Sequence, residues 1–250
     1  MGAAMKLKGR VAVITGAGGS IGRGIALRLA EEGAQVMVND KDSVAALETV
    51  NLIISQGGKA MAHGADVTKA EEVHEMIQQV VKECGQIDIL VNNAGAIRDA
   101  LLTKMSDEDW DFVVDLDLKG SFICAREVAS HMIEQRFGKI VNISSMSYKG
   151  NVGQVNYVSA KAGIVGLTQA LGLELARYGI NVNCIAPGFI DTPKTHALDE
   201  KIKERLIKNI PLRRMGEITD IANAVLFLVS DESQYITRQV IHVSGGMEGF

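Results

Sequence analysis

The chain lacks most features that mark specialised protein classes. Its 250 residues include only three cysteines, Cys84, Cys124 and Cys184, odd in number and widely spaced. That excludes a disulfide framework and leaves no CxxC pair for a redox or zinc site. The five histidines, at 63, 74, 131, 196 and 242, include no pair at ligand spacing, so no metal site is expected. The longest nearly apolar stretch, 221–229, is far shorter than the roughly 20 residues a membrane helix needs. The first residues, MGAAMK, lack the apolar core of a signal peptide. Net charge is −4 with no basic run, which argues against nucleic acid as a partner. There are three prolines, and no repeat, low-complexity stretch or linker. The one tryptophan, Trp110, reads as a packing residue. A cytoplasmic protein with neither membrane nor nucleic-acid partners is expected.

What is present is alternation. Short apolar runs at 11–15, 35–39, 60–63, 87–92, 139–144, 181–186 and 240–243 alternate with helical patterns near 20–32, 43–56, 69–84, 107–136, 154–177 and 217–230. Continuously apolar strands separated by helices predict a parallel sheet covered on both faces. With right-handed crossovers this is a doubly wound α/β fold, a single Rossmann-like domain over 1–250 with a seven-stranded parallel sheet. Ligands then lie outside the carboxyl ends of the strands. Residues 192–214 form the only long polar insertion, a position suited to a substrate lid.

Tyr157 and Lys161 stand four apart at the start of a helical run, so they share one face. Tyrosine ordinarily titrates near pH ~10, and a neighbouring ammonium is the simplest means of bringing it into range as a base. The run 11–15 leads into Gly16-Ala17-Gly18-Gly19-Ser20-Ile21-Gly22 and then a helix. A strand, a glycine-rich turn and a helix N-terminus make an anion site where a pyrophosphate can approach the backbone. The ordinary G-x-G-x-x-G spacing is not met, because Ile21 stands three after Gly18. Asp40, eighteen residues past Gly22 at the end of the second strand, can accept both ribose hydroxyls and repels a 2′-phosphate. NAD is therefore favoured over NADP, with Lys41 beside the carboxylate as a softening charge.

At these residues the chain resembles the short-chain dehydrogenase/reductase superfamily over essentially its whole length. The family's TGxxxGxG motif is nearly met by Thr15–Gly22, with Ser20 in place of the middle glycine. The resemblance implies cofactor contacts from Gly16, Gly19, Ser20, Ile21, Gly22 and Asp40. It also implies adenine contacts from Asp66 and Val67, and a cleft lined by Asn93, Ala94 and Gly95 of the NNAG motif. The nicotinamide segment would be Pro187, Gly188, Ile190 and Thr192. The family's catalytic group is Asn, Ser, Tyr and Lys. Tyr157 then transfers the hydroxyl proton, and Lys161 lowers its pKa and binds the nicotinamide ribose. The strand end selects Ser145 as the serine, whereas counting thirteen back from Tyr157 selects Ser144; the strand end is preferred because a rigid strand fixes side-chain direction. Asp117 occupies the position where most relatives carry Asn, and it either helps to hold a water beside the lysine and stabilises the ammonium, or simply faces solvent or a partner chain.

Within the superfamily the segments 92–110, 150–161 and 186–192 most resemble 3-oxoacyl-thioester reductases. This implies a homotetramer packed through the small face of the helix bearing Tyr157 (Ala162, Gly163, Gly166, Ala170). Arg136 and Arg177 read first as solvated surface charge, with the phosphates of CoA or an acyl-carrier group as their candidate partners otherwise. Biosynthetic members of that subgroup usually prefer NADPH, so Asp40 points towards a 3-hydroxyacyl-CoA dehydrogenase. The lid region mixes charge with few large apolar groups, which speaks mildly against a bulky steroid. Another secondary alcohol (cyclic, polyol or sterol) and a non-catalytic NAD sensor are the alternatives; retention of both Tyr157 and Lys161 disfavours the sensor.

Overall fold

The computed structural model describes residues 5–249, apart from the side chain of Lys194. Seven parallel strands lie in the order β3-β2-β1-β4-β5-β6-β7: β1 Val11–Ile14, β2 Gln35–Asn39, β3 Lys59–His63, β4 Ile89–Asn92, β5 Gly138–Ile143, β6 Ile180–Pro187 and β7 Val240–Val243. Helices α1 (Ser20–Glu31), α2 (Ser43–Ser55), α3 (Ala70–Cys84), α4 (Asp107–Val113), α5 (Gly120–Gln135), α6 (Val155–Leu175) and α9 (Ile218–Val229) cover both faces, while α7 (Pro193–His196) and α8 (Glu200–Asn209) fall in the polar insertion.

The strands are continuously apolar because successive side chains enter different cores. Ala12, Ile14, Val36, Val38, Val141 and Ile143 pack with Ile25, Leu29, Ile221 and Val225 of α1 and α9. Val11, Val13, Met37 and Ile140 point the other way, against Val73, Ile77, Ile123 and Val128 of α3 and α5. Strand order reverses between β1 and β4, which opens a crevice at their carboxyl ends.

Two departures from the sequence expectation carry consequences. The pattern at 107–136 is not one helix: Val114–Lys119 forms a π-helical turn between α4 and α5, with the Gly120 N–H bonded to Asp115 O. One surplus residue is accommodated there, a device common near functional sites. The fourth strand starts at Ile89 rather than 87, because the Gln135 side-chain amide takes both backbone groups of Ile87, accepting from its N–H at 3.1 Å and donating to its carbonyl at 2.8 Å.

At the opposite, amino-terminal edge the buried Asp88 carboxylate accepts Val11 N–H at 2.8 Å, Gln86 Nε2 at 2.7 Å and Arg10 at 3.1 Å. It fixes the relative height of β1 and β4, and so the crevice. Replacement Asp88→Ala leaves the Val11 N–H unpaired in a dry position and is expected to destabilise the fold by about 1–3 kcal/mol. Denaturant unfolding measures this, and an unchanged midpoint would contradict it.

Candidate active site

The cofactor half of the crevice is assembled from backbone. Thr15 stands one residue past β1, and its hydroxyl accepts the N–H groups of Asn93 and Ala94 at 3.0 and 3.1 Å. The Asn93 amide returns two bonds, to Thr15 O at 2.9 Å and Gly16 O at 3.1 Å. The loops after β1 and β4 are thereby stapled together. Gly16 sits at φ 62°, and a Cβ on Gly22 would lie 2.3 Å from Gly16 O, so the turn closes only with glycine. Gly19 caps α1 without a side-chain bond. The first N–H groups of the helix therefore have no side-chain acceptor, which suits an anion.

Asp40 stands one residue past β2. Its Oδ2 accepts Gly18 N–H and its Oδ1 accepts Asp42 N–H, both at 3.0 Å. Each oxygen keeps a further lone pair for a ligand hydroxyl. Lys41 does not attend this carboxylate: its ammonium pairs with Asp66 Oδ2 at 2.8 Å. Burial works against ionisation of Asp66, yet bonds from Lys41 and Thr68 bring it down to about 2. This end of the cleft thus carries two carboxylates, of which Asp66 alone is paired with Lys41.

The other half hangs on α6. Lys161 is buried (3% exposed); its ammonium donates to Ile143 O, the end of β5, at 3.0 Å. The ammonium lies 5.4 Å from the centre of the Tyr157 ring. Asn156, also buried, accepts the Tyr157 N–H and donates to Arg98 O and Asp109 O, tying the head of α6 to the loop after β4 and to α4. The Ser144 hydroxyl is committed to Lys161 O at 2.8 Å. The Ser145 hydroxyl accepts Ser147 N–H at 3.1 Å, which leaves its own proton free, and its effect on the Tyr157 phenol is to favour ionisation. Of the two serines, Ser145 is the one directed at Tyr157.

Asp117 does not face solvent. It is fully buried in the π-helical turn, its Oδ1 accepting Ala96 N–H at 2.9 Å. Its Oδ2 lies 3.0 Å from the Lys161 ammonium, an ionic contact without hydrogen-bond alignment. The pair alters the electrostatics expected of Tyr157. Burial raises the phenol's pKa above the ordinary tyrosine value, Lys161 pulls it down, Asp117 and Asp99 push it up, and the net result is upward. Lys161 thus lowers the phenol's pKa as expected, and burial and the two carboxylates work against it. Lys161 itself is depressed by burial and lifted further by Asp117 and Tyr157, ending raised.

All seventeen residues expected to touch the cofactor line one cleft of about 1310 Å³, together with Ser145. Pro187 ends β6, Gly188 N–H bonds Val243 O at 3.0 Å, and Thr192 caps α7 through Thr195. The 192–214 insertion contributes more apolar surface than its composition implied: Leu198, Ile202 and Leu206 converge on the cleft with Ile97 and Phe112. Arg136 and Arg177 are elsewhere. They precede β5 and β6, at the amino ends of the strands, and stack over Tyr178 at 5.4 and 4.8 Å. A phosphate they held would not belong to a substrate in the same chain's cleft. Sequence reasoning missed Asn156 and the apolar residues of the insertion, which carry no local signal. It also missed the staple role of Thr15, although a threonine ending a strand before the glycine-rich turn was visible. Among the described residues no group of three or more His, Cys, Asp or Glu is placed to hold a metal.

An uncapped helix N-terminus, a glycine cradle and a carboxylate at the end of β2, all on one cleft, suit a dinucleotide. A family model described as Enoyl-(Acyl carrier protein) reductase matches residues 16–248. Among curated relatives, the 3-oxoacyl-(acyl-carrier-protein) reductase of Staphylococcus epidermidis is 50% identical over 94% of this chain and 98% of its own. A hydroxy(phenyl)methyl-succinyl-CoA dehydrogenase subunit of Thauera aromatica is 45% identical over 98% and 99%. Of solved structures, a short-chain alcohol dehydrogenase candidate from Sinorhizobium meliloti superposes with a TM-score of 0.93 at 38% identity, covering 98% of both chains. By sequence and by fold, the chain belongs to the short-chain dehydrogenase/reductase family.

Proposed function

We propose that the protein interconverts a 3-hydroxyacyl and a 3-oxoacyl thioester with NAD(H). The observation that carries this reading is the placement of Tyr157, Lys161 and Ser145 on the same cleft as Asp40 and the glycine-rich turn. The bound nicotinamide supplies hydride chemistry at the carbinol carbon. The turn and the head of α1 hold its phosphates, Asp40 accepts the adenosine ribose hydroxyls, and Lys161 binds the nicotinamide ribose. Asp66 and Val67 flank the adenine; Asn93 to Gly95 and Pro187 to Thr192 wall the nicotinamide end. Ser145 donates to the substrate oxygen, and Tyr157 gives that oxygen a proton in reduction and removes it in oxidation.

NAD is favoured over NADP because the Asp40 carboxylate would repel a 2′-phosphate, and because Lys41 and Arg23, which line the same cleft, are engaged by Asp66 and Glu48. A thioester is favoured because the relatives named above act on acyl-carrier- and CoA-linked substrates, and because the apolar lid residues provide a wall for an acyl chain. Another secondary alcohol remains the second reading. Assembly as a homotetramer is part of the proposal. Ala162, Gly166 and Ala170 are exposed along α6, with open space at the Cβ position of Gly166. Gly163 is excluded from that face, since Leu118 of its own chain covers it.

Three measurements test the reading. Initial rates with a four-carbon 3-hydroxyacyl/3-oxoacyl-CoA pair should show strong turnover with NAD(H) and weak turnover with NADP(H). Turnover at lower NADPH than NADH would overturn the role of Asp40. Bound NADH without turnover would point to a different alcohol. Tyr157→Phe should lower kcat by at least about 100-fold, the lower range of proton-transfer catalysis, while NADH fluorescence titration shows binding intact; retained activity would remove Tyr157 from the mechanism. Sedimentation equilibrium should return about four times the chain mass, and a monomer would refute the assembly.

A further inference from the structure

Asp117 places a carboxyl group where the resemblance leads one to expect the amide of an asparagine. The Ala96 N–H and the Lys161 ammonium are the groups the structure sets against its carboxylate. An amide would satisfy the Ala96 bond equally well, so the hydrogen bond does not explain the acid. The second oxygen does: Oδ2 lies 3.0 Å from the Lys161 ammonium, in a position with no water access (0% exposed). At that range in a dry site, a carboxylate cancels much of the field that an ammonium projects onto its neighbours.

We propose that Asp117 is the counter-ion of Lys161, placed so that the free enzyme presents Tyr157 to its substrate as a neutral phenol, a proton donor. This rests on the acid–base role of Tyr157 given above and refines it. The groups facing the phenol are Lys161 on its own helix, Asp117 from the π-helical turn, Asp99 from the loop after β4, and the Ser145 hydroxyl. Cys184 of β6 faces the lysine, its thiol pushed up to about 11 mainly by burial and hence neutral. The buried ammonium is thus set against the buried carboxylate of Asp117, with exposed Asp99 adding a smaller push in the same direction. Tyr157 is ready to protonate the oxygen of a ketone at neutral pH, and becomes a base only in alkaline solution or when a further positive charge enters the cleft. Asp117 acts through Lys161 and is a positioning residue.

Phenolate absorbance, followed by pH titration of the cofactor-free enzyme, tests this directly. The step lost in Tyr157→Phe identifies Tyr157 among the four tyrosines. In the native protein it should occur only at alkaline pH. In Asp117→Asn, which preserves the Ala96 bond, and in Asp117→Ala as a second variant, the midpoint should fall by at least about one pH unit, a tenfold gain in phenolate at any pH below both midpoints. NADH binding by each variant verifies that the site is folded. The pH profiles should move in parallel, with oxidation rising and reduction falling off at lower pH than in the native enzyme. An unchanged midpoint in a folded variant, or native Tyr157 already ionised at neutral pH, would overturn the proposal. If Tyr157→Phe keeps its activity, the acid–base role falls, and the titration still decides whether Asp117 governs the phenol.

Discussion

The bond from the Lys161 ammonium to the Ile143 carbonyl is the contact on which the catalytic half of the molecule depends. A parallel sheet leaves carbonyls at its carboxyl ends with no strand partner, and burial makes such groups costly unless satisfied. Here the last carbonyl of β5 is satisfied by a side chain from the helix that follows it. The reciprocal bond from the Ser144 hydroxyl to Lys161 O fastens the same helix from the other side. About two turns further along α6, Asn92 bonds Asn142 across the strands at 2.8 Å, and Asn142 bonds Thr168 of α6 at 2.9 Å. The helix carrying Tyr157 is thus located by polar groups in an otherwise apolar core, which fixes its rotation as well as its distance.

The two halves of the cleft are solutions to the same problem. Thr15 and Asn93 satisfy the ends of β1 and β4 as Lys161 satisfies that of β5. Because these strands are parallel, all their loose ends open on one side, and the groups that mend them crowd together there. Dinucleotide binding and proton transfer therefore share a cleft as a consequence of strand direction.

Much of this was legible in the sequence. Strands buried on both faces are apolar throughout, so every strand was found to within two residues at either end, and the glycine turn, Asp40, Tyr157 and Lys161 announce themselves by type and spacing. What was hidden is non-local. Whether Asp117 faced solvent or the lysine depends on the phase of the helix before it, which an inserted residue resets. Lys41 adjoins Asp40 in sequence yet pairs with Asp66, because the second and third strands end side by side. The ionisation of Tyr157 depends on carboxylates 40 and 58 residues upstream. For Arg136 and Arg177 the reading as surface charge had the stronger support, and its signal was present: both stand just before strands, and in a parallel sheet every strand begins on the side away from the ligand.

The π-helical turn has a geometric consequence for how the two helices around it relate. Each residue of an α-helix advances the side-chain direction by about 100°, so one surplus residue sets α4 and α5 out of phase by roughly that angle. α4 presents Phe112 to the cleft, whereas α5 turns Ile123 and Val128 into the core against β4 and β5. A continuous helix could not direct both faces in this way. Removing a single residue from the turn would rotate one helix against the other by over a quarter of a circle and carry the carboxylate of Asp117 away from Lys161. The chain is therefore intolerant of a change in length at this point, even where it would accept a change in residue.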